Sequence, residues 1–177
     1  MKKTDLKIKE LRKFLDKQEK QDIIEELVSL TKNYSELREY FLIKIKPEYE
    51  VEILNQYKQK IKDEFIIYKG MSGLNFNLMK KSLTDFKKIS DNKKLIIDLH
   101  LSYVEYGVEF TNRYGDIGVT FYDNIEKTFD KALEMILVNN FQEYFYDRCK
   151  KIVNESDNIG WGFSCNMIDI FDYYFQE

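Results

Sequence analysis

The chain has 177 residues, enough for one domain with a real core. Its 44% hydrophobic content excludes a disordered chain, and one proline with seven glycines leaves too little turn material for an all-β fold. The net charge of −3 is split unevenly: residues 1–90 hold 20 Lys/Arg against 15 Asp/Glu (+5), while residues 91–177 hold 8 against 16 (−8).

The N-terminal stretch MKKTDLKIKELRKFLD has no continuous apolar core, so no signal peptide is expected, and no run approaches a membrane span. Leu6–Asp16 places Ile8, Leu11 and Leu15 at helical spacing, and Gln21–Lys32 does the same with Ile24, Leu27 and Val28. Asn33, with Glu36 three residues on, predicts a capping box that opens a third helix to about Lys44. Pro47 suits the first turn of a fourth, whose apolar face is Leu54, Tyr57, Ile61 and Phe65. The glycine- and asparagine-bearing KGMSGLNFN, residues 69–77, reads as a hinge loop between a basic half, 1–68, and an acidic half, 78–177.

Leu78–Ile89 is again amphipathic, and Ser90 or Asp91 is expected to cap a long helix over 91–114 that Gly115 ends. Further helices follow at Tyr122–Ile136, Phe141–Val153 and Ile168–Phe175, with the loop NESDNIGWGFSC between the last two. The expectation is an all-α single domain, 1–177, of about nine short amphipathic helices in antiparallel hairpins, as an irregular bundle or an α-solenoid-like array. The thirteen Tyr and thirteen Phe would fill the space between them.

The 91–114 helix organises the chain. It is apolar around most of its circumference, so it needs neighbours on several sides. Asp98, Ser102, Glu105, Glu109 and Asn112 nevertheless follow spacings of 4, 3, 4 and 3 and form one polar stripe. The stripe reads as a solvated strip or as carboxylates lining a cleft, where desolvation would raise a pKa. His100, the only histidine, falls opposite the stripe and reads as a hydrogen-bonded packing residue.

No phosphate-binding glycine loop, zinc-binding helix motif or nucleophile elbow is present, and a single histidine gives no convincing triad. No catalytic residue, metal or cofactor is assigned. Cys149 lies on an apolar helix face, where burial makes it inert; both cysteines read as reduced, cytoplasmic thiols. Two loops stand out. In the first, Arg113 and Asp116 flank Gly115, with Arg113 expected to pair with a helix-terminal carboxylate. In the second, Trp161 between two glycines is expected to plug the core, or else to form an exposed partner contact. Lysine doublets at 80/81, 87/88 and 93/94 suggest a nucleic-acid patch, but the chain's acidity favours a solvated face.

Two segments, YVEYGVEFTNRYGDIGVTFYDNIEKTFDKALEMI and RCKKIVNESDNIGWGF, together with the opening LKIKELRKFLDKQEKQDIIEELVSL, resemble the bacterial domain of unknown function 6155. The resemblance implies a small, mostly helical, cytoplasmic bacterial protein and brings no activity. The functional expectation is a non-enzymatic module for a protein or peptide partner, with candidate site residues Asp98, Glu105, Glu109, Asn112, Arg113, Asp116 and Trp161. A metal-dependent or carboxylate-based enzyme on helix 91–116 is the alternative, followed by a nucleic-acid binder. Homodimerisation between the basic and acidic halves is left open.

Overall fold

The computed structural model describes residues 5–65 and 74–175. Nine α-helices and no strand occur among them: α1 (Ile8–Leu15), α2 (Lys20–Asn33), α3 (Ser35–Ile45), α4 (Glu50–Glu64), α5 (Phe76–Ile89), α6 (Lys93–Tyr114), α7 (Val119–Val138), α8 (Gln142–Glu155) and α9 (Phe163–Phe175). Pro47 opens a 3-10 turn, Pro47–Tyr49, that runs straight into α4.

Three boundaries differ from the sequence reading for a local hydrogen-bonding reason, and α9 also begins earlier than read, at Phe163 rather than Ile168. Asn33 closes α2 rather than opening α3; extended Tyr34 takes the N-cap position, and Arg38 donates to the Lys32 carbonyl at 2.9 Å. Asn92, not Ser90 or Asp91, caps α6, its side chain accepting from the Lys94 and Leu95 amides. Ser90 is instead buried and donates to Glu50 at 2.6 Å. The hinge ends early, because Asn75 caps α5 by accepting from the Leu78 amide. Positions 69–73 of that hinge lie outside the described residues.

The core is built on α6, which packs against α4, α5, α7 and α8. Ile97, Leu99, Leu101, Tyr103 and Val104 are wholly buried. Side chains that apolar on several faces are stabilised only by cover on several faces, at about 1.5–3 kcal/mol for each large one. The principal helix contacts all join helices one or two places apart in the chain, as in a helical array, with the centre thickened around α6. Aromatic rings bridge the layers: Phe65 to Phe110 at 5.7 Å, Phe110 to Phe121 at 5.8 Å, and Tyr122 to Phe163 at 4.9 Å.

The two N-terminal helices are different. Neither α1 nor α2 buries a single residue, and α2 packs mainly on α3.

The α6–α7 contact is close enough to require glycine. A Cβ at Gly107 would stand 2.3 Å from Ile125 Cδ1 and 2.9 Å from its Cγ1. Overpacking of this kind costs about 1–3 kcal/mol, partly offset by about 1 kcal/mol of helix propensity gained over glycine. Gly107→Ala is therefore expected to lower stability by about 1 kcal/mol in urea unfolding. Adding Ile125→Val, which removes the nearer of the two clashing atoms, should cost less in the Gly107→Ala background than in the wild type.

Candidate functional site

The polar stripe on α6 is neither free in water nor an empty cleft along its whole length. Its first half is closed by two cations from other helices. Arg148 of α8 donates from Nε and Nη2 to the two Glu105 oxygens at 2.7 and 2.8 Å, and from Nη1 to Asp98 at 2.6 Å. The same Nη2 reaches Ser102 Oγ at 3.0 Å. Lys58 of α4 donates to both Asp98 oxygens at 2.8 Å. Two cations thus meet two carboxylates, tying α4, α6 and α8 together where all four side chains are about one-quarter exposed.

The electrostatics follow from that geometry. Burial alone would raise the Asp98 carboxyl, but the hydrogen bonds and charges of Lys58 and Arg148 outweigh it and hold it below the usual aspartate range. Arg148 is desolvated too, and its carboxylate partners outweigh that cost and keep it charged. An ionised, fully partnered carboxylate makes a poor general acid, so this cluster is suited to holding helices in register.

The second half of the stripe lines an open cleft of about 680 Å³ between α6 and α8. Glu105, Glu109, Asn112 and Arg113 face Lys151 and Glu155 across it. Asn112 donates to the Glu155 carbonyl at 2.7 Å, and Lys151 pairs with Glu155 at 3.6 Å. Arg113 does not take the expected carboxylate partner; its guanidinium lies 5.5 Å from the Tyr114 ring centre. Among the described residues no group of three His, Cys, Asp or Glu side chains could hold a metal ion.

The last two candidates, Asp116 and Trp161, meet each other instead. Gly115 ends α6 at φ +86°, which turns the backbone so that Asp116 accepts from the Tyr122 hydroxyl at 3.0 Å and from the Trp161 indole N–H. Trp161 is not the core plug expected from its flanking glycines. It is 74% exposed and sits at φ +59°, a left-handed conformation that is costly for a bulky side chain.

His100 is buried with Nδ1 2.8 Å from the Ile96 carbonyl, and burial lowers its pKa, so the ring is a neutral donor there. Burial pushes the Cys149 thiol up to about 12, which leaves it inert. In the doublets, Lys81 and Lys88 both pair with Asp85, and Lys94 lies 4.0 Å from the Tyr144 ring centre.

Sequence reasoning missed Arg148 and Lys58. A signal existed for the first: carboxylates on a mostly buried helix require a cation, and Arg148 is one of two arginines in the acidic half.

The molecule is thus an all-helical array in which ion pairs close the first half of the polar stripe and the second half lines an open cleft. The chain belongs to a family of unknown function, DUF6155, whose model matches residues 1–175. Neither the curated proteins nor the solved structures give a match.

Asp98 is held below its ordinary pKa in the folded state, so on acidification the unfolded chain binds the extra proton first. The stability from this ion cluster is therefore full above about pH 4 and is lost as pH falls through the folded value. Arg148→Met, which keeps the stem and removes the charge, should cost about 1–3 kcal/mol at neutral pH, reduced by solvent access. That cost should shrink below about pH 4 in chemical denaturation series. A cost that does not vary with pH would assign Arg148 a packing role alone.

Proposed function

We propose that the protein is a binding module for another polypeptide, working through the apolar faces of α1 and α2. One observation carries the reading: these two helices present apolar side chains that the other described residues leave largely exposed. Ile8 is 73% exposed, Phe14 56%, Ile24 41%, and Leu27 and Val28 44% each. An eight-residue helix is not stable in water by itself, so α1 needs a covering surface. Contiguous exposed apolar area is the usual mark of a protein contact.

The exposed Trp161 supports the same reading. It is a large ring held outward by Asp116 on a strained backbone, the kind of anchor that dominates binding energy at interfaces. A bacterial, cytoplasmic setting is part of the proposal, supported by two free thiols, Cys149 and Cys165. Among the described residues no helix is long and apolar enough to cross a membrane.

The test is affinity capture from a lysate of the source cells, comparing the wild-type chain with Ile24→Glu/Val28→Glu and scoring the chain's own copies separately. Both side chains already reach water, so the variant should keep its stability within about 0.5 kcal/mol. A polypeptide recovered by the wild type and depleted about tenfold by the variant is the expected result, equal to about 1.4 kcal/mol of binding. Identical recovery by both would overturn the assignment.

A further inference from the structure

The chain carries a second open surface whose chemistry complements α1. Between α8 and α9 lies a groove of about 410 Å³. Val153 and Phe171 form its apolar floor, and Ile168, 37% exposed, forms one lip. Asp157 and Asp172 stand on its rim, with Asp169 exposed beside them on α9. Among the described residues none of these three carboxylates has an ion-pair partner. Lys150 is the one cation lining this groove, and its ammonium lies 5.0 Å from the Phe171 ring centre. The groove therefore suits a short amphipathic helix with a basic flank.

Helix α1 is such a helix. Exposed Ile8 and half-buried Leu11 and Leu15 are spaced to share one face, and the exposed Lys9, Arg12 and Lys13 outnumber its one acid, Glu10. The groove runs from Lys150 to Asp157 on one side and from Ile168 to Asp172 on the other, so it receives one or two apolar side chains of α1, whose eight residues span about 12 Å, rather than the whole helix.

Building on the binding-module reading, we propose that the partner is a second copy of this chain. The apolar face of α1 from one protomer seats in the α8–α9 groove of the other, with Lys9, Arg12 and Lys13 against Asp157, Asp169 and Asp172. A two-fold axis makes both contacts at once and closes the assembly. Each contact alone is smaller than a stable interface of about 1,600 Å², so the pair is needed and the dimer is weak and salt-sensitive. An anionic membrane is the poorer occupant for α1. The adjoining α2 carries Asp22, Glu25 and Glu26 in its first two turns, which such a surface repels.

The test is sedimentation equilibrium of the full chain over about 1–100 µM, the range in which a weak dimer forms. The expected result is a mass rising from 21.4 kDa towards twice that value, and falling back as salt is added. Asp169→Lys/Asp172→Lys and Lys9→Glu/Arg12→Glu should each weaken the dimer about tenfold or more. Combining all four substitutions should restore it, because the charges are then exchanged across the contact. These side chains lie at the surface, and circular dichroism of each variant checks that the fold is kept.

A mass that stays at one chain throughout the range overturns the proposal. So does a dimer indifferent to either reversal, or one that the combined variant does not rescue. Vesicles of phosphatidylglycerol provide the last arm: a monomer that co-sediments with them and loses binding on Lys9→Glu/Arg12→Glu would give α1 to the membrane instead. If the chain is monomeric yet still captures a polypeptide through Ile24 and Val28, the binding-module reading stands and only the second copy falls.

Discussion

A helix that is apolar on most of its sides and acidic along one line sets two demands, and the architecture answers both. The apolar sides of α6 need helices around them, which α4, α5, α7 and α8 supply. The acidic line needs positive charge delivered without exposing the core, and Arg148 and Lys58 provide it from two of those same helices. Covering and neutralising are therefore one event: α8 cannot seat its Phe145, Cys149 and Ile152 against the core without bringing Arg148 onto Glu105. A charge cluster of this type adds little net stability over an apolar equivalent. What it adds is register, since a helix shifted by one turn would leave two carboxylates unpartnered away from bulk water.

The helices themselves were legible because apolar periodicity is a local property of the sequence. The end of α6 at Gly115 and the placement of His100 on the buried side were legible for the same reason. Caps were less so. Asn33, Ser90 and Asp91 all have suitable side chains, and the choice fell to Tyr34 and Asn92 because of where neighbouring groups found partners. The site was hardest. The stripe was visible as a stripe, but Arg148 lies 43 residues from Glu105 and 50 from Asp98, and Lys58 lies 40 from Asp98. Spacing along one helix says nothing of what the facing helix carries. Trp161 misled for a related reason: its flanking glycines do allow a turn, but the ring's direction was set by a hydrogen bond to Asp116 from another loop.

Covered and uncovered apolar side chains are unevenly divided along the chain. The helices from α4 onward hold nearly all the buried apolar residues, while α1 and α2 hold none. Free energy from burial is therefore concentrated from α4 onward, and α1 and α2 belong to the low-stability end of the structure. The charge asymmetry does not follow the same division, because α4 and α5, within the net-basic residues 1–90, belong to the compact part.

The wiring of the array also bears on how the chain reaches this state. Because its main helix contacts join elements one or two places apart, few long loops must close before burial is rewarded. Yet α4 and α5, which pack on each other, also pack on α6, which lies after them in the sequence. During synthesis the first five helices therefore leave the ribosome before the element that organises them. They can pack on one another at that stage, α3 on α5 and α4 on α5, but α4 and α5 gain their remaining cover only when α6 emerges. The last share of apolar burial is therefore completed late in translation, although the contacts that make it are local.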